Sequence, residues 1–284
     1  MQLIKPSFII IEQESGLEGM YKQIELAGRT CYKSEDKITK TSAKEFVDRM
    51  IKSGHGAMLE HGTVYLSLDM ASREQYFKYC YNKFSKAKSI GSAEHSTWKG
   101  FVTTNLRVLV ENGWLEDLEY QCEPTEYHEK RITVKFTCDR GVTHEFVRHR
   151  VFSFAQESTR YCNYSKGKFG EELTFIQPLW LDEELLKSYG SYHTVTRSKS
   201  PESIFIANLN NAENDYMDLI ALGWKPQEAR AILPNALKAE LVMTGFISDW
   251  EHFFYLRTPM NAHPQARELA IPLLEEFKNR EYLK

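Results

Sequence analysis

The 284-residue chain has few of the features that would place it in a specialised class. It has only five cysteines, Cys31, Cys80, Cys122, Cys138 and Cys162, scattered with no C-x-x-C pair. That spacing excludes a disulfide scaffold and a thiolate zinc site, and points to reduced thiols in a cytoplasmic protein. Long apolar runs are missing. The N-terminal run Phe8 to Ile11, preceded by Lys5 and Pro6, is too short for a signal sequence, and nothing is long enough to span a bilayer. An excess of either charge is missing as well, with 36 basic and 39 acidic residues. No single field covers the surface, so duplex nucleic acid is an unsuitable partner and a small anion suits better. The chain has no G-x-S-x-G elbow, no P-loop and no internal repeat of 20 to 50 residues.

The periodicities predict an α+β fold, an antiparallel sheet flanked by helices. Ser7 to Glu12, Thr63 to Asp69 and Ile132 to Asp139 read as strands, the last with Ile132, Val134, Phe136 and Cys138 on one face. Gly16 to Tyr32 carries Leu17, Met20, Tyr21, Ile24 and Ala27 at helical spacing. Ser42 with Glu45, and Ser248 with Glu251, have the spacing of capping boxes, each before an apolar stripe. Pro201 and Pro226 suit first helical positions, Pro234 is expected to bend the second of these helices, and a last helix runs from about Pro264 to Tyr282. Residues 71–130 are rich in Tyr, Phe, Lys and Asn and are expected to be an ordered insertion, helical near Thr104 to Asn112, within a single domain spanning 1–284.

Two catalytic motifs come close and fail. His144-Glu145 with His149 has the histidines five apart, ~140° around a helix of about 3.6 residues per turn, so they cannot share a metal as a zinc protease requires. No metal site is expected. Gly54-His55-Gly56 lacks the third glycine of a dinucleotide fingerprint and follows a helix, so a helix end plus a turn explains it. Cys162 reads as a small buried hydrophobe rather than a nucleophile.

What remains is polar chemistry that folding does not require. Arg148-His149-Arg150-Val-Phe-Ser-Phe-Ala-Gln-Glu-Ser-Thr-Arg160-Tyr161 fits neither a helical stripe nor a strand alternation. Planar guanidinium forks beside hydroxyls and amides suit a ligand with phosphates and a polar ring. Three further segments add to it: His55 to His61, Arg230 in Ala-Arg-Ala-Ile-Leu-Pro, and Ser248 to Arg257. Arg230 and Arg257 sit among apolar neighbours and are expected to be buried cations in need of an anionic partner.

These segments resemble the flavin-dependent thymidylate synthases. Arg148-His149-Arg150, seven residues and Ser158 match that family's signature, extended back to Val147 and on to Arg160-Tyr161. Gly54-His55 with Glu60-His61 is similar to its flavin-contacting segment. Arg230 to Pro234 and His252 to Arg257 are similar to its two C-terminal arginine segments, and Pro264 to Leu269 to the helix that follows. The resemblance covers 1–69 and 132–284, with 71–130 as an insertion relative to compact members.

The resemblance implies reductive methylation of dUMP to dTMP, with methylenetetrahydrofolate as carbon donor and FAD, reduced by NADPH, as hydride carrier. It implies Arg257 as the catalytic group that favours the N3-ionised uracil. It also implies dUMP contacts from Glu145, Arg148, Gln156, Glu157, Ser158, Arg160, Arg230 and Arg257. Flavin contacts are implied from His55, Arg148, His149, Arg150, Gln156, Ser248 and His252, in a homotetramer that shares its sites between subunits. Ser158 has no evident base, so a nucleophilic role is discounted. The chain departs from the pattern at Ala57, which replaces a hydroxyl residue, at Glu145, where glutamine is common, at Ala155-Gln156, where Asn-Glu is common, and at Ser248, which replaces an arginine. Two alternatives use the same residues: a single-stranded nucleic-acid-binding protein relying on Arg148, Arg150 and the 71–130 segment, or a nucleotide-binding enzyme without flavin.

Overall fold

The alternation of Ile132, Val134, Phe136 and Cys138 with Thr133, Lys135 and Thr137 does make a strand, and it is the axis of the molecule. A computed structural model describes residues 1–93, 96–188 and 191–283. The first part of the chain runs β1 (Gln2–Ile4), β2 (Ser7–Ile11), α1 (Gly16–Tyr32), α2 (Ser42–Lys52), α3 (Gly56–Leu59) and β3 (Thr63–Leu68). The 71–130 segment then supplies α4 (Arg73–Cys80), β4 (Lys86–Ile90), β5 (Lys99–Asn105) and α5 (Leu106–Asn112). After it come β6 (Arg131–Asp139), α6 (Arg140–Phe146), β7 (Ser153–Gln156), β8 (Thr174–Ile176) and α7 (Glu183–Ser188). The chain continues with α8 (Pro201–Ala221), α9 (Pro226–Ala229), β9 (Lys238–Phe246), α10 (Ile247–Arg257) and α11 (Pro264–Asn279).

A four-stranded antiparallel sheet, in the order β2-β6-β9-β7, forms the centre. One face carries Ile132, Val134, Phe136, Cys138, Leu241 and Met243 against α6, α10 and α11, where Phe146, Trp250, Phe253 and Phe277 are wholly buried. The other face is covered by α1, with Ala27 against Ala155 and Val242. Helices on both faces explain why the polar residues of β6 are not all at the surface. Thr133 Oγ1 lies 2.8 Å from Thr244 Oγ1, which lies 2.8 Å from His61 Nδ1, all three residues being buried. These groups form a hydrogen-bonded polar layer, as buried polar groups must.

A three-stranded antiparallel sheet, β3-β5-β4, shares a second core with α1 and α2 through Met20, Ile24, Phe46 and Val47. Gly28 sets the α1–α2 spacing, because a Cβ there would lie 2.4 Å from the Phe46 ring. A third core lies around α8 and a parallel pair, β1 with β8, which the alternation patterns do not reveal. The α+β class holds, with an antiparallel sheet between helices.

Three local expectations are corrected. Ser42 is already the first residue of α2, and its hydroxyl accepts from the Thr39 amide (2.9 Å) and donates to Glu25 (2.9 Å), so no capping box forms. At α10 the terminal amide that needs an acceptor is that of Phe246, and Asp249 provides it at 2.9 Å, while the Ser248 hydroxyl turns to Glu129. Pro234 bends no helix: α9 ends at Ala229, one 3₁₀ turn follows, and Leu233 is extended, as a residue preceding proline prefers to be.

Candidate functional site

The Arg-His-Arg motif is a turn between α6 and β7, pinned by buried Phe146 on one side and buried Phe152 on the other. The His149 amide donates to the Phe146 carbonyl and the Phe152 amide to the His149 carbonyl, at 3.0 and 3.1 Å. With both flanks anchored, the middle residue points inward and its neighbours outward: His149 is buried, Arg148 and Arg150 are exposed. This division is why the segment fits no helical or strand pattern.

Arg257, at the end of α10, closes over the buried histidine. Its guanidinium donates to the Glu145 carboxylate at 2.7 Å, to the Glu145 carbonyl at 2.6 Å and, through Nε, to His149 Nε2 at 2.9 Å. A donor at Nε2 makes that nitrogen the acceptor, so the neutral ring carries its proton on Nδ1. Burial, reinforced by Arg257 and His252, pushes the His149 pKa down to about 4. The hydrogen bond from Arg257 holds the Glu145 carboxyl below the ordinary carboxylate range. His252 is exposed, its ring 6.3 Å from that of His149 and stacked near Tyr255.

A second group forms where β7 runs out. Gln156 Nε2 donates to Thr143 Oγ1 at 3.0 Å. Glu157 is buried, its carboxylate accepting from Lys238 Nζ (2.7 Å), the Tyr164 hydroxyl (3.1 Å) and the Glu240 amide (3.2 Å). Burial works against the charge of neighbouring Glu240, but Lys238, Lys33 and Lys135 outweigh it and hold its carboxyl at about 2. This lysine–glutamate network fixes the strand end. The Ser158 amide donates to the Cys31 carbonyl at 2.9 Å, and its hydroxyl accepts from the Arg160 amide at 3.3 Å. Among the described residues no base is hydrogen-bonded to that hydroxyl. Arg160 is exposed, 5.3 Å from the Tyr161 ring, and Tyr161 packs at 5.1 Å on Tyr32. Arg230 reaches Thr159 Oγ1 at 3.4 Å and is exposed, which corrects the expectation of a buried cation; of the two arginines expected to be buried, Arg257 is the one mostly covered.

The remaining candidates line clefts. His55 is exposed in a cleft of about 410 Å³ that Cys31, Tyr32, Ala57 and Arg107 also border. Arg107 separates it from a larger cavity, about 910 Å³, whose wall includes Arg150. Ser248 lies apart from all of these, beside Glu129 on a cleft with His128 and Lys130. The fold therefore brings Glu145, His149 and Arg257 into contact, with Arg148 and His252 alongside. It gathers Glu157, Ser158, Arg160 and Arg230 separately, and no hydrogen bond or ion pair links the two groups among the described residues.

Sequence reasoning missed Arg131 and Lys238. Arg131 is buried, donating to the Glu60 carbonyl (2.9 Å), Thr63 Oγ1 (3.3 Å) and Ser153 Oγ (3.1 Å). A charged residue opening an alternating strand was a signal for Arg131, and the Lys238–Glu240 spacing on β9 was one for Lys238.

A profile of the family described as "Thy1: Thymidylate synthase complementing protein" matches residues 73–280. A protein of Pyrococcus abyssi called "Flavin-dependent thymidylate synthase" is 30% identical over 147 residues, 52% of this chain and 54% of its own length. Proteins with the same name from Corynebacterium glutamicum and Corynebacterium aurimucosum are 22% and 24% identical, covering 94% and 97% of this chain and 79% and 82% of theirs. The chain thus spans about half the length of relatives such as the Pyrococcus protein and most of the corynebacterial ones. Among solved structures, a UMP/dUMP methylase, PolB, from Streptomyces cacaoi bound with 5-Br dUMP aligns at a TM-score of 0.43 and 15% identity, over 98% of this chain and 93% of that one.

Proposed function

This chain belongs to the Thy1 family, the flavin-dependent thymidylate synthases, and we propose that it methylates dUMP to dTMP, taking the carbon from methylenetetrahydrofolate and the reducing equivalents from NADPH through FAD. The observation that carries this reading is the Arg257 group. A guanidinium held from three directions, against a histidine kept neutral by burial, is fixed in place before any substrate arrives. A uracil ring set against it gains stabilisation when N3 loses its proton and charge spreads to the ring oxygens, as with a preorganised oxyanion donor. Arg148, beside it, has no carboxylate within ion-pair reach among the described residues and can meet the same nucleotide. Arg160 and Arg230, exposed on either side of Thr159, suit the phosphate, with Ser158 and Gln156 as neutral partners. Glu157 acts by holding this segment through Lys238.

The flavin contacts fit in pieces. His55 and Arg150 border adjoining clefts that share Arg107, while His149 and His252 sit with Arg257. These side chains offer flat rings and, in Arg150, a cation with no carboxylate within ion-pair reach among the described residues, which suits a ring system joined to phosphates. When bound, the flavin supplies the hydride; the chain holds the rings in register and excludes water. Ser248 stands apart and engages Glu129, so its contact requires another copy. Two separated nucleotide half-sites on one chain, with Val151, Tyr255 and Met260 exposed in the same stretches, support a homotetramer that completes each site across subunits. The shared core of α1, α2 and the 71–130 segment supports one domain across 1–284, with that segment as an insertion. No described helix is long and apolar enough to cross a membrane, and five dispersed cysteines suit a reducing compartment such as the cytoplasm.

Purified protein should be yellow, bleach with NADPH, and release tritium from 5-tritiated dUMP only with NADPH and methylenetetrahydrofolate present. A colourless protein that cannot be reconstituted with FAD removes this assignment.

A further inference from the structure

The 910 Å³ cavity beside Arg150 has a second wall drawn from residues 81–86 and 105–112, a wall the flavin contacts above do not use. Besides Arg107, four cations line it: Lys83, Lys86, Arg131 and Arg150. Among the described residues none of the four has a carboxylate within 4.0 Å, whereas many of the chain's other cations are ion-paired. Two of the three acids on the wall, Glu60 and Glu111, are engaged by Arg107, which leaves Asp249. Arg131 is the most telling of the four. It is buried, its partners are neutral oxygens, its Nε–H finds no acceptor, and burial lowers its pKa. Such a cation is short of counter-charge.

Aromatic surface lies beside this charge. The Phe246 ring is flanked by Lys86 at 5.6 Å and by the Arg131 guanidinium at 5.5 Å, and Lys83 stands 4.8 Å from the Phe84 ring, which is half exposed. Flat rings interleaved with lysines and arginines match a ring joined to phosphates, and the volume exceeds what a single inorganic anion needs.

We propose that this cavity binds the non-reacting half of a dinucleotide, an aromatic base carrying a diphosphate, with Lys83, Lys86 and Arg131 receiving the phosphates and Phe84 the ring. The inference rests on the reading above for its choice of ligand, since flavin and nicotinamide dinucleotides both carry such a half. It adds the 81–86 stretch to the machinery.

The probe is ADP, titrated calorimetrically into the flavin-loaded and the flavin-free protein. ADP should bind, and Lys83→Ala/Lys86→Ala should weaken it about tenfold or more while leaving dUMP affinity unchanged. Both positions are exposed, so the double variant should melt like wild type. Lys44→Ala, an exposed lysine paired with Asp48 elsewhere, should change nothing. If the flavin occupies the cavity, ADP binds only the stripped protein and the double variant loses FAD. If the nicotinamide dinucleotide does, ADP binds the loaded protein, competes with NADPH, and the double variant raises the KM for NADPH with flavin content unchanged. No ADP binding to either form, or wild-type affinity of the double variant for ADP, FAD and NADPH, overturns the proposal. Tritium release without ADP binding removes the cavity proposal alone. ADP binding lost in the double variant, in a protein that releases no tritium, removes the methylation reading alone.

Discussion

Glu145→Gln keeps an oxygen acceptor opposite Arg257 but removes the charge. In the wild type the two side chains meet at 2.7 Å, with the carboxylate about one-third exposed and the guanidinium mostly covered. A fully buried pair of this geometry would be worth several kcal/mol, but exposure on the carboxylate side brings the difference down to about 1 kcal/mol. In a chain of this size that lowers Tm by roughly 2–4 °C. The sign of the pH dependence follows from the depressed Glu145 pKa. A carboxyl held below its unfolded value contributes its stability in full above the ordinary carboxylate range, and loses it as pH falls through the folded value. The Tm gap between wild type and variant should therefore be widest at neutral pH and close under acid. Function should move the opposite way. An uncompensated Arg257 faces the nucleotide with its full charge, so dUMP binding by calorimetry should tighten about three- to tenfold, the equivalent of roughly 1 kcal/mol. A Tm gap that persists unchanged into acid, or weaker dUMP binding, would refute the assignment of Glu145 as the counter-charge that tempers Arg257.

Other outcomes follow from the same geometry. Arg257→Ala should lower kcat/KM for dUMP about a hundredfold or more while the flavin spectrum and FAD affinity stay near wild type; equal losses in both would contradict its role at the uracil. Stability should fall as pH drops from about 6.5 towards 4. His149, held at about 4, and His61, pushed to about 3 by burial and Arg131, stay neutral in the fold while the unfolded chain takes up protons. His149 alone should account for on the order of 3 kcal/mol in urea titrations, and a flat profile over that window would show that neither ring is confined as described. Phe253→Ala removes a wholly buried ring that packs on Phe146, Phe152, Trp250 and His149. It should cost about 3–5 kcal/mol, and a loss under 1 kcal/mol would be inconsistent with that packing.

Strands and helices with a clean stripe were legible in the sequence. Gly16 to Tyr32 and Ile132 to Asp139 carry periods that survive into the fold, because one face of each packs on a core. Caps were less legible, since Ser42 and Ser248 have better partners in Glu25 and Glu129, residues far away along the chain or turned towards them only by tertiary packing. The parallel pairing of β1 with β8 left no local trace, as it joins three residues to three others by register alone. At the site, the motif named its residues but not their grouping. Nothing in the order Glu145, His149, Arg257 states that a turn buries the histidine and a helix end brings the arginine over it. Nor does the sequence state that the Glu157 carboxylate meets Lys238, which lies on a distant strand.

The pairing register of the central sheet also dictates an order of assembly. Ser7 pairs with Thr137, and Arg131 pairs with Phe246, so the loops that must close are long and little of the sheet can form until β9 exists. The three-stranded sheet is different: Thr63 pairs with Asn105 and Lys86 with Thr103, a local hairpin-like arrangement of low contact order. During synthesis that smaller unit can gather its own core early, with α1 and α2 already made. The Arg-His-Arg turn joins α6 to β7, a strand whose pairing partner is β9, so its far anchor depends on that late strand.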